Sequence, residues 1–274
     1  MHYQQFVDDV WEYYLRSARD LPWRTSGANG LFDPYAILVS EVMLQQTQVA
    51  RVIPKYQAFL EQFPTVQKLA SAPLGDVLRA WQGLGYNRRA KFLWQAAQAV
   101  ITEYNGTFPV EQKELTCLPG VGTNTAGAIC AYAYDQPVVF IETNIRTVFI
   151  YHYFTDHDGV HDSELLPYIQ QSLAEAIEQG IAPREWYWAL MDYGTYLKAT
   201  IGNISRSSKH YAKQSTFAGS KRQIRGQVLR LLTTARLSRN HLRSSITDER
   251  LDEVLSDLAK EGLITKRANL YQLA

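Results

Sequence analysis

Cysteine is nearly absent: Cys117 and Cys130 are the whole complement, thirteen positions apart. Two thiols exclude a disulfide framework and any metal site built from four cysteines. Both are expected as reduced thiols in the core. Long apolar runs are missing as well, since none approaches the roughly 18 residues of a membrane span. The opening Met1-His2-Tyr3-Gln4-Gln5 lacks the basic and apolar regions of a secretion signal. A cytosolic protein without a membrane partner is the expectation. Continuous β-type alternation is scarce too, which points to an all-α chain.

Acidic residues are missing from one long stretch. From Tyr193 to Thr247 there is no Asp or Glu, yet eleven Lys and Arg occur, and the remaining residues carry 17 basic against 27 acidic groups. The overall charge of +1 therefore hides a strong asymmetry. Phosphate neutralisation is the main source of nucleic-acid affinity, so such a stretch suits a polyanion; a solvated basic face is the other reading.

What is present is enough for a substantial core: 274 residues, 46% hydrophobic. Phe6, Val10, Trp11, Tyr14 and Leu15 have helical spacing, ending near Pro22. A further apolar-periodic segment runs from Ile37 to Val52. Pro54, Pro64, Pro73 and Pro109 fall between periodic stretches, where proline starts or stops helices. Ser- and Gly-rich sequence from Gly202 to Ser220 reads as an irregular connector. Beyond it, helices at Gln223–Thr234, Arg239–Ser244 and Asp248–Glu261 precede a hairpin in Leu263–Thr265 and Leu270–Leu273, an order resembling a winged helix. The third helix carries Asp248, Glu249, Asp252, Glu253, Asp257 and Glu261, which phosphates would repel, so a docking role is expected for it rather than base reading.

Three strings carry chemistry. Leu118-Pro119-Gly120-Val121-Gly122 leads into Thr123-Asn124-Thr125-Ala126. Two glycines permit a tight turn, Thr123 or Asn124 can cap the following helix, and exposed amides at that helix start suit a phosphate. An ordinary Gly-x-Gly turn would have the same residues. Ser40-Glu41-Val42-Met43-Leu44-Gln45-Gln46-Thr47-Gln48-Val49 sets one acid among apolar residues, followed by three glutamines. In Phe140-Ile141-Glu142-Thr143-Asn144, a carboxylate stands two residues before an asparagine.

The glycine string resembles the hairpin of helix-hairpin-helix DNA glycosylases, and the string around Glu41 is similar to the catalytic helix of the adenine-specific mismatch glycosylases among them. The resemblance covers about residues 3 to 195, through Leu21-Pro22-Trp23-Arg24, Phe63-Pro64-Thr65-Val66, Trp81-x-Gly83-Leu84-Gly85-Tyr86 and Met191-Asp192-x-Gly194, with Gly27-Ala28-Asn29-Gly30 as an insertion. It implies a two-lobed helix-hairpin-helix glycosylase domain over 1–197; a basic connector over 198–222 follows, and residues 223–274, which do not match the family's C-terminal partner-reading domain, are the small winged-helix-like module read from element order. It also implies that a monomer binds double-stranded DNA carrying a mispair or lesion. Position by position, Glu41 matches the general acid that protonates the base. Gln45, Gln46 and Gln48 match residues at base edges and at the gap in the stack, and Tyr86 matches an aromatic wedge; a core tyrosine is the plainer reading of Tyr86. Leu118, Gly120, Val121, Gly122, Asn124 and Thr125 match the strand-gripping hairpin, where the family often holds a monovalent cation on the carbonyls of Thr116, Leu118 and Val121.

Two departures matter. Glu142 stands where the family has an aspartate that stabilises the sugar cation, followed by Asn144, so Glu41, Glu142 and Asn144 are the expected catalytic set. The longer side chain leaves three readings open: full function, preference for another base such as uracil, thymine or an alkylated purine, or a lesion-binding protein without catalysis. Asn124 replaces the Schiff-base lysine of bifunctional relatives, which implies base removal without lyase cleavage. The family's iron–sulfur ligands, spaced seven, three and six apart, fall here on Lys198, Ser205, Ser208 and Gln214, so no cluster and no required cofactor is expected. Lys198, Arg206, Lys209 and Lys213 are the expected phosphate contacts in its place. The purified chain should accordingly be colourless and iron-free; a four-iron absorption band with matching iron content would overturn this.

Overall fold

The computed structural model describes residues 2–155, 157–211, 213 and 216–274. In chain order, α1 (Tyr3–Ser17) and a 3-10 turn (Pro22–Arg24) lead to α2 (Pro34–Leu44), α3 (Val49–Gln62), α4 (Val66–Ser71), α5 (Leu74–Ala80) and α6 (Arg88–Glu103). Then come α7 (Gln112–Leu115), α8 (Thr123–Tyr134), α9 (Thr143–Tyr153), α10 (Asp162–Glu178) and α11 (Pro183–Thr200). Another 3-10 turn spans Ile204–Ser207. The last elements are α12 (Lys221–Thr234), β1 (Leu237–Ser238), α13 (Arg239–Ser245), α14 (Leu251–Lys260), β2 (Ile264–Arg267) and β3 (Leu270–Leu273).

The chain forms two compact units. One holds residues 1–37, 110–116 and 121–213, the other 38–109, 117–120 and 214–274. In the first, α9 packs on α11, with α1, α8 and α10 beside them. Its core contains Phe6, Phe149 and Trp186, with Phe6 meeting the other two rings at centroid distances of 5.2 and 5.9 Å. A buried ion cluster fixes the start of the chain to α11. Asp192 is 1% exposed and accepts from Arg19 Nε at 2.6 Å and from both terminal nitrogens of Arg24 at 2.8 and 2.7 Å. The paired motifs Leu21-Pro22-Trp23-Arg24 and Met191-Asp192-x-Gly194 thus meet in space.

In the second unit, α6 packs on α4 and α5, and Thr65 caps α4 by accepting from the Lys68 amide. The C-terminal elements have winged-helix order, with an antiparallel sheet β1-β3-β2. β1 is a strand that the sequence pattern does not reveal. α14 turns Leu251, Val254, Leu255 and Leu258 inward against α12 and β2, so its acidic residues are left on the outside of an element docked within the module. This segment shares a unit with 38–109 because α12 and β3 rest on α5, Arg79 Nε donates to the Thr233 carbonyl at 3.3 Å, and Lys91 Nζ to that of Glu261 at 2.5 Å.

Three expectations are corrected. The Ile37–Val52 segment is two helices rather than one, for a reason given below. Pro54 lies inside α3 rather than at a boundary: it is the sixth residue, and its missing N–H leaves the Ala50 carbonyl without its helical donor. Cys117 is exposed, and only Cys130 is a core thiol, its pKa pushed up to about 11 by burial.

Breaking a buried ion pair by removing one partner strands the other charge. Asp192→Ala is therefore expected to destabilise the protein by about 3–5 kcal/mol, seen as a lowered urea midpoint. A midpoint unchanged from wild type would show that Arg19 and Arg24 do not depend on it.

Candidate active site

Glu41 lies in the last turns of α2, half-buried, between the buried residues Ser40, Val42 and Met43. α2 stops at Leu44 because Gln46 adopts the left-handed conformation, φ 54°, and Gln48 is extended as the residue that starts α3. Gln45, Gln46 and Gln48 consequently project from an exposed turn rather than from the helix that carries Glu41.

That turn is held by a residue that no sequence motif marks. Arg89, only 8% exposed, sends Nη1 to the carbonyls of Val42 at 2.7 Å, Met43 at 3.0 Å and Gln45 at 2.7 Å. Its Nη2 reaches Thr47 Oγ1 at 3.1 Å and the carbonyls of Leu84 and Gly85 at 3.2 Å each. The final carbonyls of a helix have no partner within the helix, and a cation there also meets the negative end of the helix dipole. Burial lowers the guanidinium pKa to about 10, which leaves it charged at neutral pH.

Arg89 also fixes the wedge candidate. Gly83 and Gly85 have φ of 93° and 71°, and Tyr86 follows at φ 45°, a conformation rare for a bulky side chain. Trp81 Nε1 bonds the Gly85 carbonyl at 3.1 Å. The Tyr86 ring is 39% exposed, which sets aside the core reading. Arg222 of α12 donates a hydrogen bond to its hydroxyl.

In the hairpin the two glycines do different work. Gly120 has φ 77°, and a Cβ there would lie 2.5 Å from that of Phe92. A Cβ at Gly122 would meet nothing within 4 Å, and Gly122, not Thr123 or Asn124, is the N-cap of α8. Leu118 and Val121 are buried at 2% and 6% exposure, so their side chains serve the core and their backbone is what a DNA strand would meet. Thr116 and Val121 belong to the first unit, Leu118 and Gly120 to the second.

Freed from capping, Asn124 accepts the Ile141 amide on Oδ1 at 3.4 Å. This ties α8 to the strand-like approach of α9, whose N-cap is Glu142. A side chain there stands at the positive end of the helix dipole. Tyr187 anchors the same approach by donating to the Val138 carbonyl at 2.7 Å. Asn144, in the first turn of α9, passes so close to α11 that a Cβ at Gly194 would lie 2.4 Å from its carbonyl oxygen. Asn124, Thr125, Glu142 and Asn144 thus gather in the first unit, while Glu41, the three glutamines and Tyr86 gather in the second.

Lys198, Arg206, Lys209 and Lys213 are all exposed in the first unit. Ser205 and Ser208, by contrast, are buried and hydrogen-bonded: Ser205 Oγ donates to Asn203 Oδ1 at 2.6 Å, and Ser208 Oγ accepts the His210 amide at 3.1 Å. The segment is docked by Val160, which donates to Ser207 and accepts from Lys209. Gln214 lies outside the described residues. Among those described, no group of three or more His, Cys, Asp and Glu is arranged to hold a metal, and no helix is long and apolar enough to cross a membrane.

Comparison with known proteins shows the family. Residues 39–173 match the model of the HhH-GPD superfamily of base excision DNA repair proteins. An adenine DNA glycosylase of Mycolicibacterium smegmatis is 31% identical over 95% of this chain and 93% of its own length. One from Mycobacterium tuberculosis is 46% identical over half of this chain; the match spans 43% of that protein. A thermostable thymine-DNA glycosylase of known structure shares the fold, with a TM-score of 0.61 and 24% identity over 76% of this chain and 90% of its own. The chain belongs to the HhH-GPD superfamily of base excision DNA repair proteins. Within it, the two mycobacterial relatives carry the name adenine DNA glycosylase.

Arg89→Met keeps the buried stem but removes every donor from this junction. It is expected to cost about 2–4 kcal/mol and to speed amide hydrogen exchange over residues 44–48 and 84–86, leaving α9 protected as before. Unchanged exchange at both turns would show that they hold without the guanidinium.

Proposed function

We propose that the protein is a monofunctional DNA glycosylase that extrudes a mispaired base, most specifically adenine opposite 8-oxoguanine or guanine, and hydrolyses its N-glycosidic bond. The observation that carries this is the end of α2, where a half-buried Glu41 precedes three glutamines turned outward on a clamped turn. Glu41 delivers a proton to a purine ring nitrogen, so the base departs neutral as the bond to C1′ breaks. The sugar is left as an oxocarbenium ion. Glu142, ionised at the start of α9, stabilises that cation until water adds and loses its proton, giving an abasic site. Asn124 holds the approach to α9 through the Ile141 amide, and Asn144 stands in the first turn of that helix. Asn124 has no amine with which to form a Schiff base, so the abasic strand stays intact.

The glutamine turn and Tyr86 meet the bases around the extruded nucleotide, and the hairpin backbone at Gly120 and Gly122 grips the strand, with a monovalent cation on the carbonyls of Thr116, Leu118 and Val121. Lys198, Arg206, Lys209 and Lys213 contact phosphates. With two cysteines in the chain, no four-thiolate cluster orders this segment, and the hydrogen-bonded Ser205 and Ser208 do so instead. The chain acts as a monomer in the cytoplasm.

An alternative reading rests on Glu142, one methylene longer than the family's aspartate: the same chemistry directed at uracil, thymine or an alkylated purine. Duplexes bearing single mispairs, treated with alkali to reveal abasic sites, separate the two. Glu41→Gln should lower single-turnover excision at least about 10²-fold while leaving duplex affinity nearly intact. Excision at the wild-type rate would remove Glu41 from the mechanism, and a wild-type chain that binds lesions without forming abasic sites would be a binding protein.

A further inference from the structure

The C-terminal module has no task in the chemistry above, yet one of its residues reaches the wedge. Arg222, in the first turn of α12, donates to the Tyr86 hydroxyl, and its guanidinium carbon lies 5.4 Å from the ring centroid. Arg89 lies 5.7 Å from the same centroid but commits its terminal nitrogens to five backbone carbonyls and one hydroxyl. Arg222 is thus the cation directed at the tip of the ring. Its support is stiff. On either side, Lys221 pairs with Glu253 and Arg225 with Glu261, both at α14, and Lys91 of α6 binds the Glu261 carbonyl. α12 is in turn bonded to α5 through Arg79 and Thr233.

A half-exposed tyrosine on a left-handed turn would ordinarily sample several side-chain orientations. A charge-assisted hydrogen bond at the hydroxyl combined with a cation over the ring selects one of them before DNA arrives. Ordering completed in advance is not charged against insertion into the stack. We propose that Arg222 is a positioning residue for Tyr86 and that the C-terminal module serves as a brace for the wedge rather than as a base reader. This rests on the reading of Tyr86 as the wedge.

The test uses the full chain with Glu41→Gln, so that no base is lost, and a duplex with 2-aminopurine at the target position, whose fluorescence rises on extrusion. Arg222→Ala and Tyr86→Phe, which removes one oxygen, are each expected to lower the extrusion constant about five- to tenfold. The double variant should be no worse than either alone, because both remove the same bond. Duplex affinity should keep its dependence on salt. If the parent chain extrudes the base but the two losses multiply in the double variant, or Arg222→Ala alone flattens the salt slope by about 0.9, Arg222 is a phosphate contact and the proposal fails. Undiminished extrusion by Arg222→Ala also overturns it. A parent chain that binds the duplex without any extrusion overturns both this proposal and the glycosylase reading beneath it.

Discussion

Six acceptors converge on the guanidinium of Arg89, and the arrangement of the Glu41 helix, the glutamine turn and the Tyr86 turn follows from that convergence. A buried cation without partners would be prohibitively unfavourable; here, helix-end and turn carbonyls that also lack partners surround it, and each deficit offsets the other. The consequence is geometric. The carbonyls of Val42, Met43 and Gln45 belong to the end of the helix that carries Glu41, and those of Leu84 and Gly85 to the turn that presents Tyr86. One planar group with a fixed fork of donors therefore sets the distance between the helix of Glu41 and the turn of Tyr86. Lysine, with a single point of charge, offers no such fork.

In the first unit the corresponding constraint is steric. Gly194 lets α9 approach α11 until the Asn144 carbonyl occupies the space a side chain would need. The approach to α9 is pinned independently by Asn124 at Ile141 and by Tyr187 at Val138. With backbone on both sides of Glu142 fixed in this way, the place of its Cα is set by the packing of α9 on α11.

Side-chain patterns announce the helices, the glycine hairpin and the α2 string, because apolar periodicity and glycine spacing are written in the residues themselves. The Arg89 junction is not legible in the same way. Its partners are mostly backbone carbonyls, which leave no trace in residue identity, and one arginine among 28 basic residues carries no mark of burial. The break after Leu44 is hidden for a related reason: apolar spacing continues across Gln45–Gln48, and only the left-handed Gln46, satisfied locally, ends the helix. Asn124 has the chemistry of a cap because asparagine often is one, yet Gly122 starts α8 and releases the amide to hold Ile141. β1, two residues long, is a strand only because β3 pairs with it. Asp192 and Arg24 are visible as parts of motifs, but only the fold makes them partners.

Charge shows most clearly how sequence distance misleads. The acid-free stretch ends at Asp248, and the acids beginning there fold back on it: Arg239 and Arg243 share Asp252, Lys221 takes Glu253, and Arg225 takes Glu261. Exposed pairs of this kind contribute little stability individually, but they offset charge at short range, so these four cations present a weaker field to a phosphate about one Debye length away, some 8–10 Å. The field that remains comes from cations outside these pairs. The exposed Lys198, Arg206, Lys209 and Lys213 lie in the other unit, on a segment docked through Val160 and the buried Ser205 and Ser208. A long basic run in the sequence thus resolves into two physically different things: a module in which Lys221, Arg225, Arg239 and Arg243 are paired with acids while Arg222 is turned toward an aromatic ring, and a short docked segment whose four charges face solvent.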